Sequence, residues 1–283
     1  GVIEMVDSLK ANKTYRFYEN LAYMSYTGFW RTGPIETGSI YSIYNQNVVE
    51  GNRFMLSMRT SNKFSKKVEI SAFTACGTLD REWKYGGSIR WKLRESPREM
   101  LRFAYRKRID QLGLIASVGD VGNSFSTLLS AAPLDKLTMV NQASVGLEKD
   151  WRFDMRTFNN VEWKNYIPLG QSDYSRIDPT SGDTNQVSSL TSFQIRNQIM
   201  FTKEEKFLKG QFDRISLGSK YPIISLTHAW GVNEILGSEY GFHRLDFIWN
   251  HRPRLGMFGR LNYTIHAGKI FGTVPYPFLQ VHQ

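Results

Sequence analysis

Cysteine is nearly missing from this sequence. Cys76 stands alone, so no disulfide can join two parts of the chain, and so Cys-poor a composition suits the cytoplasm and an outer membrane equally. Flanked by Ala75 and Gly77, Cys76 reads as an inert small residue rather than a nucleophile. Long apolar runs are missing too. No window approaches the roughly 18 consecutive apolar residues that a spanning helix needs, and the mean hydropathy is −0.38. That excludes a helical membrane protein but not a barrel, in which only every second residue of a strand must face lipid. There is no GxSxG elbow, HExxH pair, phosphate loop or GxGxxG turn, so neither an enzyme nor a cofactor is expected. The histidines His228, His243, His251, His266 and His282 include no pair at helical metal spacing. His243 and His251 share a strand face but lie about 26 Å apart at ~3.3 Å per residue. No export signal is visible and the chain begins at Gly1, as a mature or excised fragment would.

Aromatic residues, by contrast, make up 14% of the 283 residues, and hydrophobic ones 41%, enough for one large domain or two ordinary ones. The formal net charge is +10, which would suit nucleic acid, anionic headgroups or an acidic ligand. The cations are scattered, as in Arg102, Arg106 and Arg108 or Arg152 and Arg156. No basic cluster joins an RNA-binding aromatic motif or a zinc-finger spacing, so nucleic acid is not an expected partner.

The dominant pattern is a period of two. Trp83, Tyr85, Ile89, Trp91 and Leu93 alternate with Glu82, Lys84, Ser88, Arg90 and Lys92. Leu137, Met139, Ala143, Val145 and Leu147 alternate with Thr138, Gln142, Ser144 and Glu148, and Trp151, Phe153, Met155, Val161 and Trp163 continue the series. Ile195 and Ile199, then Leu245, Phe247 and Trp249, then Met257, Leu261, Tyr263, Ile265 and Ala267 occupy one parity of later segments. These runs exceed the usual globular strand of about 5–6 residues and match a tilted membrane-crossing strand of about 9–11. Trp83, Trp91, Trp151, Trp163 and Trp249 fall towards segment ends, where an aromatic belt would meet the two bilayer interfaces.

The expected fold is therefore all-β: an antiparallel transmembrane β-barrel, about 12–13 strands of it visible, incomplete, behind a short N-terminal helix. Residues 1–20, where Ile3, Val6 and Leu9 have helical spacing, form an N-terminal amphipathic, periplasmic segment; residues 21–283 form the barrel, truncated at its C-terminus. Strands are expected to start near 21, 39, 53, 66, 82, 99, 136, 151, 190, 207, 222, 240 and 256. Short turns at Ser61–Lys63, Glu95–Pro97 and Arg252–Arg254 alternate with long stretches at Gln111–Leu134 and Pro168–Val187, as on the two rims of a barrel. Carboxylates such as Asp80, Asp154, Glu162, Asp213 and Asp246 lie on the polar parity or near turns. Nothing selects a catalytic pair among them, and ion pairing across neighbouring strands, filling or narrowing the interior, is their expected role.

Several stretches carry a resemblance. They are Asn47-Val48-Val49-Glu50-Gly51-Asn52-Arg53, Arg59-Thr60-Ser61, Gly77, Asp80, Trp83-Lys84-Tyr85, Ala267-Gly268-Lys269-Ile270-Phe271-Gly272 and Pro275-Tyr276-Pro277. In order and spacing this set resembles a Bacteroidota outer-membrane family of unknown function, whose barrel usually follows a carboxypeptidase-like regulatory domain, a non-catalytic β-sandwich. The resemblance marks Glu50, Gly51, Arg53, Gly77, Asp80, Lys84, Tyr85, Gly268, Gly272, Pro275 and Pro277 as structural motif residues. Gly51, Gly77 and Gly272 fit turns or places that exclude bulk, and Pro275 and Pro277 fit a strand end or rim. Glu50 and Arg53 fit either an interior ion pair or a solvated turn. The chain lacks the regulatory domain and stops just after the Pro-Tyr-Pro motif, where the family continues through further strands. The expected role is a non-enzymatic protein of the bacterial outer membrane in transport, secretion or envelope assembly. Its expected partners are outer-membrane lipid, lipopolysaccharide and other outer-membrane or periplasmic envelope proteins. A soluble or surface-exposed β-sandwich binding carbohydrate or protein is the alternative, and a carboxylate-dependent hydrolase the third.

Overall fold

The computed structural model describes residues 12–111, 137–151, 154–169, 174–177, 184–275 and 278–279. It begins with a helix. Asn12 caps it, its side-chain oxygen accepting the Thr14 N–H at 2.9 Å. Helix α1 then runs Lys13–Thr27. Gly28 ends it with φ 79, donating its N–H to the Met24 carbonyl at 2.7 Å, a left-handed cap that costs glycine little. The helix thus outruns the expected boundary at residue 20, and no strand starts near 21. Nothing between Leu21 and Thr27 breaks a helix, and the first residue suited to the cap is Gly28. Ile3, Val6 and Leu9 lie outside the described residues.

The strands that follow are β1 (Phe29–Thr32), β2 (Ile35–Gly38), β3 (Tyr44–Asn47), β4 (Gly51–Thr60), β5 (Val68–Gly77), β6 (Trp83–Arg94), β7 (Glu99–Gln111), β8 (Leu137–Asp150) and β9 (Met155–Pro168). After them come β10 (Tyr174–Ile177), β11 (Thr184–Val187), β12 (Leu190–Thr202), β13 (Lys206–Lys209), β14 (Arg214–Gly218), β15 (Ile223–Val232), β16 (Phe242–His251) and β17 (Tyr263–Phe271). One antiparallel 13-stranded sheet runs β1-β2-β4-β5-β6-β7-β8-β9-β12-β15-β16-β17, with β3 also on β4. Hairpins β10–β11 and β13–β14 stand apart as two-stranded sheets. The expected closure is not present: among the described residues β1 and β17 each have one neighbour, so the sheet is open. No described helix is long and apolar enough to cross a membrane.

Several boundaries moved. The segment expected as a strand from 39 is a 3₁₀ turn (Ile40–Ser42) followed by β3. The expected short turn at Arg252–Arg254 opens a longer connection holding a 3₁₀ turn (Gly256–Phe258) and an Arg254–Arg260 bridge, so β17 starts at Tyr263 rather than near 256. Short and long connections also do not separate cleanly by rim. The rim carrying 61–67, 95–98 and 151–154 also carries the β13–β14 hairpin, and the opposite rim has the short connection 78–82.

The two faces of the sheet differ sharply. In register across six strands, Ile70, Ile89, Phe103, Val145, Val161 and Ile195 stand opposite one another. One residue along each strand, on the other face, the matching row is Glu69, Arg90, Arg102, Gly146, Asn160 and Arg196. The apolar row belongs to the exposed face: Phe54 is 56% and Trp83 63% accessible. Glu50, Glu69, Lys84, Lys92, Glu162, Arg244 and Asp246 on the charged side are buried. Asn159 and Asn197, directly opposite each other, and Lys107 within β7 interrupt the apolar face, while Lys149 and Lys269 of that parity sit close to strand ends.

Curvature accounts for this inversion. The β13–β14 hairpin hangs from β12, yet its residues and its base reach side chains from β4, β6, β8 and β9. Neighbouring strands lie about 4.8 Å apart, so a flat sheet would hold β4 roughly 29 Å from β12. The sheet curls with its charged face inward and the hairpin within the curl.

Candidate functional site

The motif residues converge at one end of β4, β5 and β6. Asn47 Oδ1 accepts the Val49 and Glu50 N–H groups at 3.0 and 2.8 Å and so sets the turn before β4. Its Nδ2 donates to Glu50 at 2.6 Å. Glu50 and Lys84, each 1% exposed, pair at 3.0 Å, while Lys84 also pairs with Asp80. Arg53 approaches Glu50 at 3.8 Å, which settles the Glu50–Arg53 alternative in favour of an inner-face pair. Gly77 stands opposite Arg53 in register, and a Cβ there would sit 2.5 Å from Asp80 Oδ1 and 2.7 Å from the Glu50 carbonyl. Any side chain would push the two carboxylate-bearing segments apart. Gly51, with φ 67, opens β4 beside Leu79, whose N–H donates to the Glu50 carbonyl. Tyr85 points the other way, onto the exposed face beside Tyr105.

The remaining motif residues lie elsewhere. Gly268 faces Asp246 across β16 and β17, and Gly272 approaches the Gly241 carbonyl. The Pro275 carbonyl accepts the Phe278 N–H at 3.0 Å; Phe278 is buried against Tyr166, Tyr240 and Phe242. Pro277 lies outside the described residues. Trp83, Trp163 and Trp230 stand near one rim on the exposed parity, and Trp91 and Trp249 near the other. Trp151 sits in the β8–β9 connection, its indole N–H donating to Thr157 and Lys149 packed over its ring. Periodicity did not show that His228 and His243 meet across β15 and β16, ring nitrogens 3.1 Å apart, beside Trp230.

Charge lines the inner face. Glu36 takes Arg59 at 2.7 Å, Arg31 at 3.4 Å and the Tyr23 hydroxyl of α1 at 3.1 Å. Glu162 takes Lys164 at 3.0 Å, Arg196 at 2.9 Å and the Gln142 amide at 3.2 Å. Arg244 pairs with Asp246 at 3.0 Å. Since one partner removed would strand a buried charge, these clusters tie the inner face together as ion-paired networks, beside buried apolar side chains such as Met100, Val140 and Met200.

The β13–β14 hairpin docks on this face by the same chemistry. Asp213 takes Arg90 at 2.5 Å and Arg59 at 3.5 Å. Arg214 takes Glu148 at 2.5 Å and Asp150 at 2.6 Å, and Arg98 reaches the Phe212 carbonyl at 2.5 Å. The Phe212 ring, buried, lies under Lys92 at 5.2 Å. Burial pushes the Asp213 carboxyl up, but Arg90, then Arg59 and Arg102, prevail and hold it below the ordinary carboxylate range. Burial lowers Arg214, while Asp150 and Glu148 more than offset it. Parity alone places Arg90 inward, but its link to Asp213 spans 123 residues and leaves no local signal.

Among the described residues no group of three or more His, Cys, Asp or Glu is placed to hold a metal ion. A search of curated proteins gives no match to this chain. Residues 9–280 match the C-terminal domain of a family of unknown function, DUF5686, and the chain accordingly belongs to that family.

Proposed function

We propose that this chain forms the wall of a non-enzymatic, integral outer-membrane β-barrel of a Bacteroidota cell, acting in transport, secretion or envelope assembly. The observation that carries the reading is the inversion of the two faces, charge inside and leucine, isoleucine and tryptophan outside. Each large apolar side chain is worth about 1.5–3 kcal/mol on leaving water, and monomeric soluble proteins rarely expose apolar patches beyond a few hundred Å². Hydrocarbon removes that cost. The long strands agree with a tilted crossing of about 9–11 residues. Trp83 and Trp91 on β6 stand about 26 Å apart along the strand; a tilt of ~40° reduces this to about 20 Å, close to an apolar band of ≈ 25 Å.

A β-sandwich would instead place a second sheet over the tryptophans and leucines. Among the described residues the other sheets are two-stranded hairpins, and β13–β14 docks on the charged face. The barrel reading also requires that the outer edges of β1 and β17 be paired, since lipid tolerates no open edge. Under this reading the outer face meets lipid and lipopolysaccharide, and envelope proteins are the partners available to its rims. Extraction of native membranes with carbonate and urea tests it: the protein is expected to stay in the pellet, and release into the soluble fraction would overturn the proposal.

A further inference from the structure

Inside the curl, a cavity of about 320 Å³ is walled by Arg59, Arg90 and Arg102 and floored by Ser71, Ser88 and Ala104. That volume lies at the small end of the ligand-pocket range of ≈ 300–1,000 Å³. The floor follows from register: Ser71, Ser88 and Ala104 stand opposite one another across β5, β6 and β7, and their small side chains leave the space that the arginines surround. Arg90 and Arg102 are likewise directly opposite, an arrangement that destabilises a sheet when the charges are alike. Glu69 engages Arg90 at 2.8 Å, while Arg102 makes no hydrogen bond or ion pair with a described residue. The counter-charge that spans Arg90 and Arg59 is Asp213, which comes from the separate β13–β14 hairpin rather than from the sheet.

We propose that this cavity is a binding site for a small solute bearing a carboxylate or phosphate, and that Asp213 competes with that solute for two of its arginines as a tethered acid. The Asp213 carboxylate stands in for one oxyanion of the ligand, and Arg102 supplies the unused cation. Guanidinium groups suit the task because their N–H forks match carboxylate and phosphate oxygens. Glu69 is the one acid among the cavity's lining residues, and Asp213 reaches the site only through Arg90 and Arg59. A ligand that takes Arg90 from Asp213 therefore also loosens the hairpin that lies in the curl, so binding and hairpin position are linked.

The inference does not rest on membrane insertion, because the arginines face the inside of the curl whatever surrounds the sheet. It is tested by calorimetric titration of the full chain, purified in nonionic detergent, with inorganic phosphate and separately with succinate, against potassium chloride at matched ionic strength. If Asp213 engages Arg90 and Arg59 nine-tenths of the time, Asp213→Asn is expected to tighten binding of at least one probe about tenfold. Adding Arg102→Gln is expected to remove most of that gain, and Arg102→Lys to restore part of it. Preference for phosphate or for succinate separates the two sources of the oxyanion. Circular dichroism and heat-dependent gel migration check that each variant keeps its fold, and Arg102, which makes no hydrogen bond or ion pair among the described residues, is the substitution least able to unfold it. Absence of binding in a folded Asp213→Asn protein, equal affinity with and without Asp213, or full binding after Arg102→Gln would each overturn the proposal. None of these results bears on the carbonate extraction, so the two readings fail separately.

Discussion

Lys84 sits almost wholly out of solvent between two acids, Glu50 and Asp80, on a stretch of β6 whose next residue, Tyr85, faces outward. Burying an ammonium is tolerable there only because both carboxylates are in reach. Lys84→Met leaves Glu50, itself 1% exposed, with the more distant Arg53 and the Asn47 amide. The expected cost is about 3–5 kcal/mol, read as a lower urea midpoint for tryptophan fluorescence in micelles; an unchanged midpoint would show that the cluster is dispensable. Gly77→Ala is expected to destabilise the same corner, because the added methyl meets Asp80 and the Glu50 backbone. Asp213 behaves differently, being half exposed at the hairpin. Its folded value is depressed by Arg90, Arg59 and Arg102 after burial has opposed them. Its contribution is therefore complete above the ordinary carboxylate range and lost only as pH falls through the depressed value. Hydrogen-exchange protection of the hairpin, corrected for intrinsic rates, is expected to hold from about pH 7 to 5 and fall in stronger acid. Loss of protection between pH 7 and 5 would assign docking to another group.

At the scale of elements, the hairpin is the part whose removal separates wall from contents. Among the described residues its strands β13 and β14 pair with each other and with no strand of the main sheet. Replacement of residues 206–218 by a short Gly-Ser link is expected to leave the sheet's circular dichroism intact. In planar bilayers the same change should raise ion conductance, whereas equal conductance would show that the hairpin obstructs nothing. Long elements such as β6, β8 and β9 were legible from alternation because a dozen residues give a period of two many chances to repeat. Strands as short as β1, β2 and β13 give it none, and β13 was visible only as part of a longer expected strand. The end of α1 lay hidden because Leu21–Thr27 carries aromatics that suit a strand as well as a helix; the deciding residue was Gly28. The corner of Glu50, Gly77, Asp80 and Lys84 was visible as motif residues but not as one site, since its assembly depends on the β4–β5–β6 register.

For the whole molecule, the question is what solvent the outer face meets. A single-residue step separates Ile89 from Arg90, Phe103 from Arg102 and Val161 from Glu162, so the same backbone sorts apolar from charged over many strands. In water, Ile89→Arg replaces an exposed isoleucine by a soluble side chain and changes stability by about 0.5 kcal/mol at most. In a bilayer, an arginine near the midplane costs about 2–4 kcal/mol, falling to roughly 0–1 kcal/mol near an interface. Ile89 lies midway along β6 and Leu93 one residue from its end, both on the outer face. Unfolding of the reconstituted chain in lipid vesicles is therefore expected to show a steep loss for Ile89→Arg and a small one for Leu93→Arg. The same ranking should recur for Phe103 and Val145 against Trp91, since each pair combines a mid-strand position with a rim position on one face. Bilayer thickness supplies the gradient, and a second protein layer covering the face would penalise both positions. Equal, near-zero effects at Ile89 and Leu93 would mean that water bathes the whole face, and the proposed wall would have no membrane to stand in.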